Sequence, residues 1–566
     1  MTLRRISVSA VTLALLVSAS RLLHLQGQSP VPQTSPPTIK SEVRIVLVDV
    51  VVTESNGKSA EGLRKEDLHV AEDGQPQTIS FFEEHKVAAA KPVSLPPMQP
   101  DVFTNYPMIP TTDSVNVLLL DSLNTQAIDQ TYVRPQMEKY LQAAIKAPTG
   151  ARIAIFTLGS KLRMVRGFTD DSAKLRAALM DPKSGTAAKF ENQLASPSRV
   201  VSENKGCGDI LAPIGIAACQ EYLGDMRGDR NGDRVGMTLQ AFQALARYLA
   251  PIPGRKNVMW LAGSFPINFF PDAGKRARFS SGHEGDLQQT ADLLTADQVA
   301  VYPILASGLD TNDTYDPNNY GKPVEANDAD RSFNQIAMET LARDTGGKAF
   351  YNTNGLSEAM TQAVSYGSHF YTLTYTPTNT KMDGKYRHIE IKTLNGYQLA
   401  YRRGYYAEIA KFTATESDRG KSDQFTPLMG FGMPDFSQIL YKVRVARVKD
   451  TSDSSGKGAA MRYGLDFAIT PTDLHLQKSQ DGVWHGNIEV MLVVYDQSGQ
   501  ALNLFRKKSE IALDQQNYAE VMRTGLQMHR EIDVPLAGAM LRTGIYDPNS
   551  GKSGTMGIWL AGATTN

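Results

Sequence analysis

The stretch Asn116-Val117-Leu118-Leu119-Leu120-Asp121-Ser122-Leu123-Asn124-Thr125 constrains the fold more than any other part of the chain. An apolar run from Val117 to Leu120 ends abruptly in an acid and short polar residues, and a helical pattern follows from about Gln130 to Lys146. A strand that is apolar on both faces is normally the central strand of a parallel sheet covered by helices. In open sheets of this kind ligands bind at the carboxyl ends of the strands, which is where Asp121 falls.

The chain has 566 residues, too many for one core, so about three domains are expected. Its 59 basic and 59 acidic residues cancel, which gives no reason to expect nucleic acid or an anionic surface as the main partner. Arg4 and Arg5 precede an apolar segment from about Val8 to Val17, and Ser18-Ala19-Ser20 offers a cleavage site. This reads as a secretory signal over residues 1–28; Leu22, Leu23 and Leu25 leave an N-terminal anchor as the alternative. Export places the protein in the periplasm or outside the cell, and after signal removal no run is apolar enough to span a bilayer. The two cysteines, Cys207 and Cys219, are close together, and an oxidising compartment predicts a disulfide between them.

Residues 28–38 have linker composition. The segment 39–90 reads as a small β unit: a strand from Val43 to Thr53, turns at Asn56-Gly57 and Asp73-Gly74, and a short strand from Gln77 to Glu83. It is too small to hold a core alone. A Pro-rich stretch, 92–110, separates it from the central strand. Strands and helices then alternate over 112–367, predicting a doubly wound α/β domain. Its expected strands include Arg152–Leu158, Leu162–Arg166, Asn257–Leu261, Val299–Leu305 and Lys348–Tyr351. A long irregular segment, about 182–235, interrupts it. Between 368 and 408 three strands are expected, with Asp383-Gly384 and Asn395-Gly396 as hairpin turns, and these complete the N-terminal β unit around the inserted α/β domain. The region 425–566 reads as a C-terminal β-sandwich, with strands at Leu440–Val448, Arg462–Ile469, Ile488–Tyr495 and Leu541–Tyr546.

Five segments carry a resemblance to a known family: Val43 through Asp73-Gly74, Leu118 to Thr125, Gly254-Arg255-Lys256-Asn257, Gly346-Gly347-Lys348-Ala349-Phe350 and Tyr371-Thr372-Leu373-Thr374-Tyr375. The region from about Ser114 to Tyr366 resembles a von Willebrand factor A-like domain, and the whole chain resembles the acidobacterial VWFA-related family. The resemblance implies a Rossmann-like fold and protein–protein interaction in the envelope or outside the cell. Metal-binding members of the wider group use Asp-x-Ser-x-Ser after the first strand, a Thr on a later loop and an Asp after the fourth strand, because magnesium takes near-octahedral oxygen ligands. Here the motif reads Asp121-x-Leu123-x-Thr125, with Thr238 as the later Thr and Ser264, not an acid, after the fourth strand. The set is degenerate: Asp121, Thr125 and Thr238 remain as a possible magnesium site, and Ser122, Asn124 and Ser264 are candidates for a binding face.

Other motifs are weaker. Asp229-Arg230-Asn231-Gly232-Asp233 opens like a calcium loop but has Arg234 where Gly is wanted and Gln240 at position twelve, so a polar turn explains it. Arg227-Gly228-Asp229 is a tripeptide common by chance. Ser550-Gly551-Lys552-Ser553-Gly554 lacks the first Gly of a phosphate loop and reads as a hairpin turn. No Gly-x-Ser-x-Gly is present, and His283-Glu284 has no second His at zinc spacing. The expectation is an exported, non-enzymatic protein-binding or scaffolding protein with no required cofactor. A metal-dependent adhesin and an exported hydrolase with a site assembled only in three dimensions are the alternatives.

Overall fold

The computed structural model describes residues 44–86, 98–107, 109, 114–146, 152–180, 233–265, 284–306, 327–351, 353, 355–393, 396–407, 423–448, 461–534 and 539–560. The signal segment, Cys207 and Cys219, residues 227–232 of the Arg-Gly-Asp and calcium-like stretches, and His283 lie outside them.

The run Ser114–Asp121 forms a strand whose side chains alternate between two cores. Val115, Val117 and Leu119 enter one core, and Leu118 and Leu120 enter the other. Both faces must therefore be covered, and both are. In chain order the elements up to this strand are β1 (Val46–Thr53), β2 (Leu68–Glu72), β3 (Gln75–Gln77), β4 (Ile79–His85), β5 (Val102–Thr104) and β6 (Ser114–Asp121). The layer continues with α1 (Ala127–Lys146), β7 (Ile153–Leu158), β8 (Leu162–Thr169), α2 (Ser172–Met180), α3 (233–249), β9 (Arg255–Ala262), α4 (Glu284–Ala296), β10 (Val299–Leu305), α5 (Asn327–Thr345) and α6 (Leu356–Ser368). Helices α3, α4 and α5 cover one face, and α1, α2 and α6 the other.

The sheet order is β10-β9-β6-β7-β8, parallel except for β8, which returns antiparallel to β7. The sequence predicts a further strand at Lys348–Tyr351, but the structure forms only one bridge there. Phe350 pairs with Ile304, through Phe350 N–H to Pro303 O (2.8 Å) and Leu305 N–H to Phe350 O (2.8 Å), before the chain turns into α6.

Strands from either side of this layer in sequence pair with one another. After α6 come β11 (Phe370–Tyr375), β12 (Tyr386–Thr393), β13 (Gln398–Ala400) and β14 (Gly404–Tyr406). They build two antiparallel sheets, β13-β1-β11-β4 and β14-β12-β2-β3, around one core of Val46, Val48, Val50, Val52, Tyr371, Leu373 and their neighbours. The hairpins predicted between 370 and 402 do not form. Gly384 and Gly396 do take positive φ (69° and 67°), yet the strands they join go to opposite sheets. Each strand instead pairs with the N-terminal segment, β11 with β1 and β12 with β2, because only two facing sheets enclose the apolar faces of both segments. The hairpin at Asp73-Gly74 does form, joining β2 and β3 with both residues at positive φ.

The last region holds β15 (Tyr441–Val448), β16 (Met461–Ile469), β17 (Gln477–Lys478), β18 (Trp484–Tyr495), β19 (Ala501–Leu513), α7 (Gln515–Thr524), β20 (Leu526–Val534), β21 (Met540–Tyr546) and β22 (Ser553–Trp559). One sheet runs β20-β16-β15-β5, and the other contains β17, β18, β19, β21 and β22; both contribute to one core. In β15, Tyr441, Val443 and Val445 point inward while Lys442 and Arg444 face out, the alternation of a half-buried strand. Residues 550–554 lie where β21 turns into β22, with Gly551 N–H bonded to Asp547 O (2.9 Å). The protein is thus a mixed α/β chain with one largely parallel sheet and several antiparallel ones. Among the described residues no helix is long and apolar enough to cross a membrane.

Candidate functional site

Strand β6 delivers Asp121 to the carboxyl end of the parallel sheet, and the loop after it folds back over the carboxylate. Asp121 is only 2% exposed. Three N–H donors bind it: Asn124 N–H to Oδ1 (2.8 Å), Asn124 Nδ2 to Oδ2 (2.7 Å) and Trp260 Nε1 to Oδ2 (2.9 Å). The parallel register pairs Leu119 with Trp260, so the indole lies on the same sheet face as Asp121. Phe242 and Phe265 pack edge-on against the indole at 5.1 and 5.0 Å, fixing its direction.

The other candidates extend this network. Asn124 Nδ2 also donates to Thr238 Oγ1 (2.7 Å), and Thr238 Oγ1 donates to Arg234 O (2.8 Å). Thr125 Oγ1 donates to Asp121 O and accepts from Gly263 N–H (2.9 Å). Ser264 Oγ donates to Asn124 O (3.1 Å) and receives Arg234 Nη2 (3.4 Å). A side chain at Gly263 would press on the Thr125 backbone, at 3.1 Å from its Cα, so glycine permits this approach. Ser122 turns the other way, with Oγ bonded to Leu158 O (2.8 Å) at the end of β7.

Asp121, Thr125 and Thr238 do converge, together with Asn124 and Ser264. Ser122 and Asn124, expected on a binding face, are instead buried within the turn, because their polar atoms hold the strand ends together. Trp260 stands in the apolar run Val258-Met259-Trp260-Leu261-Ala262, where core packing accounts for it, and Arg234 reads as a departure from a calcium loop. The available signal is chemical: a buried indole N–H requires an acceptor, and Asp121 is the acid on its sheet face.

Burial pushes the Asp121 carboxyl up to about 6, against the opposing pull of the Asn124 side chain and backbone, the Trp260 N–H and the charge of Arg234. Burial likewise lowers the Arg234 guanidinium, which Asp121 counteracts.

These residues do not fit a divalent cation. Both carboxylate oxygens accept N–H bonds, Leu123 is buried in the core where an oxygen ligand would stand, and Ser264 replaces the second acid. Magnesium requires about six oxygen ligands near 2.1 Å. Among the described residues no group of three His, Cys, Asp or Glu could hold a metal.

No known protein family matches the sequence, and no curated protein is similar to it. Among solved structures, proximal thread matrix protein 1 from the mussel byssus is 10% identical over 45% of this chain and 46% of its own, with a TM-score of 0.22. This chain therefore spans about half the length of that protein. The conserved hypothetical protein BatB from Bacteroides thetaiotaomicron is 12% identical over 44% of this chain and 96% of its own, with a TM-score of 0.21. The pilus adhesin SpaC from Lactobacillus rhamnosus GG is 8% identical over 91% of this chain and 69% of its own, with a TM-score of 0.26. Likeness at this level bears on neither the fold nor the function of this chain.

Proposed function

We infer that this chain is an exported, non-enzymatic protein-binding or scaffolding protein whose von Willebrand A-like layer works without a metal. One observation carries the reading: the Asp121 carboxylate and the hydroxyls at the carboxyl ends of β6 and β9 are taken up by protein hydrogen bonds, with Asn124 Oδ1 left buried and unpartnered. Asp121 is held by Asn124 and Trp260, and Ser122 and Ser264 each donate to a backbone carbonyl. Such a network orders the loops around it and presents their outer surface to a partner. A hydrolase would need a nucleophile held by a base, and neither serine is so placed. The signal-like N-terminus supports export, and the balanced charge supports a protein partner over nucleic acid.

The test is capture of partners from envelope fractions by the mature protein, with and without EDTA, followed by mass spectrometry. The same partners are expected in both arms. Calorimetry should detect no magnesium or manganese binding tighter than the millimolar range. Saturable magnesium binding that Asp121→Ala abolishes, together with partners lost on chelation, would favour a metal-dependent adhesin.

A further inference from the structure

A cleft of about 350 Å³ opens where the outer face of β1 and β13 meets the α/β layer. Small-ligand sites commonly measure ~300–1,000 Å³ and favour such junctions. Thr53 and Gln398 line its sheet side; the end of α5, the following loop and Tyr366 of α6 line the other. The loop is fixed by close packing. Gly346 takes φ +77° and its carbonyl accepts from Arg255 (2.7 Å), while a Cβ on Gly347 would fall 1.9 Å from Val301 O. Lys348, the next residue, is thereby set at the cleft wall.

The charges in this cleft are arranged to receive an anion. Lys348 Nζ lies 4.8 Å from the Tyr366 ring centre and 3.3 Å from its hydroxyl. The Arg403 guanidinium lies 4.4 Å over the Tyr401 ring and donates to its hydroxyl (2.7 Å). Among the described residues no carboxylate lies in ion-pair contact with Lys348 or Arg403, although the charge of Arg403 acts on Asp344 from farther off. Aromatic faces hold a cation in place without neutralising it. Arg343 adds a third positive group, paired at 3.4 Å with Asp344, and Glu339 is the acid in the lining.

That balance selects among anions. Glu339 disfavours a polyphosphate, whose several charges it would repel, whereas a single carboxylate can be drawn to the Lys348 and Arg403 charges that line the same cleft. Tyr351, 41% exposed, offers a ring at the cleft wall, and the Gln398 side chain offers hydrogen-bonding groups, while the Thr53 hydroxyl is directed to Gln398 O (3.5 Å). A ring bearing hydroxyls and one carboxylate matches the two cations, the Tyr351 ring and the Gln398 amide. We propose that this cleft binds an acidic sugar, a hexuronate unit, through Lys348 and Arg403, at a site separate from the Asp121 network.

Ligand-observed saturation-transfer NMR on the full mature chain tests this with D-glucuronate, D-glucose, inorganic phosphate and the dipeptide Glu-Glu as probes. Glucuronate should bind saturably, at least tenfold more tightly than glucose, and weaken as salt rises. Lys348→Met and Arg403→Met should each weaken it about tenfold or more, whereas Lys348→Arg should retain most of the binding at unchanged thermal midpoint. Tyr351→Ala should weaken it severalfold. Absence of glucuronate binding, an unchanged affinity in the Lys348→Met/Arg403→Met double variant, or tighter binding of phosphate or of the dipeptide would overturn the proposal. The last result would mark the cleft as a site for an acidic peptide.

Discussion

Asp121 shows how one residue can govern a strand end. A carboxylate with three N–H donors cannot be removed without leaving the Trp260 indole and the Asn124 amide groups unsatisfied in a buried site. Each orphaned buried donor costs about 1–3 kcal/mol, so Asp121→Ala should destabilise the α/β layer by roughly 3–5 kcal/mol, and Trp260→Phe by about 1–2. Urea denaturation followed by fluorescence and circular dichroism measures both. The same residue sets a pH dependence. Its folded pKa is raised from 3.8 to about 6, so between those values the folded state keeps a proton that the unfolded chain has released. Its contribution is therefore complete below pH ~4 and is lost as pH rises through ~6, by about 3 kcal/mol in total. Stability of the wild type should fall over that window, and Asp121→Ala should flatten this part of the profile. A wild-type profile that instead rises steadily from pH 4 to 6, with the variant parallel to it, would assign the titration to other groups.

At the scale of elements, the strand pairings that join distant parts of the chain carry specific polar contacts. Asp49 of β1 and Arg255 of β9 are 5% and 3% exposed and lie 3.8 Å apart. Thr372 of β11 donates to Asp49 (2.7 Å), and Arg255 also reaches Tyr302 Oη (3.2 Å) and Gly346 O (2.7 Å). These contacts fasten β1 to the sheet of the α/β layer. Removing one partner of a buried ion pair costs roughly 3–5 kcal/mol, because the other charge stays buried. Arg255→Met should therefore lower the denaturation midpoint sharply, and the added change Asp49→Asn should restore part of the loss. A double-mutant cycle with no coupling would remove this pair as the fastening contact. The element least visible in the sequence is β19, which contains Arg506-Lys507-Lys508-Ser509-Glu510 and lies exposed along most of its length. Its pairing with β18 supplies the strand where periodicity offers no signal.

Across the whole molecule, the segment read as a Pro-rich separator is a working part of the C-terminal sandwich. Its residues Val102–Thr104 form β5 and pair with β15. Asn105, 4% exposed, donates from Nδ2 to Phe436 O and Ile439 O (2.8 Å each) and accepts from Tyr441 N–H (2.9 Å). Leu428, Met433 and Phe436 meanwhile join the core on one face of the α/β layer. The sandwich is therefore tied to the rest of the chain at both its edge strand and its entry segment. Asn105→Ala should take the side-chain partner from Ile439 O and Tyr441 N–H, while Phe436 O keeps Thr555 N–H (2.9 Å), and lower the stability of the sandwich by roughly 2–4 kcal/mol, seen by calorimetry as a downshifted transition. An unchanged thermogram would show that β5 is dispensable.

What the sequence by itself determined is local. The apolar run of β6 and its abrupt end at Asp121, the alternation in β15, and the Asp73-Gly74 turn each follow from contacts within a few residues. The resemblance names Asp121, Thr125 and Thr238 as one set, but the Asn124 amide that joins Asp121 to Thr238 is not part of it. Partner choice is not local. The glycines at 384 and 396 specify a change of direction but not which sheet receives the next strand, and β11 and β12 found β1 and β2 instead of each other. Trp260 became the donor to Asp121 only once the register of β6 and β9 was set. Lys348 and Arg403 likewise came to line one cleft only when the β1–β13 face met the α/β layer. Such pairings are selected by burying apolar faces that lie far apart in sequence, where loop closure costs little more with added length, so tertiary packing decided them.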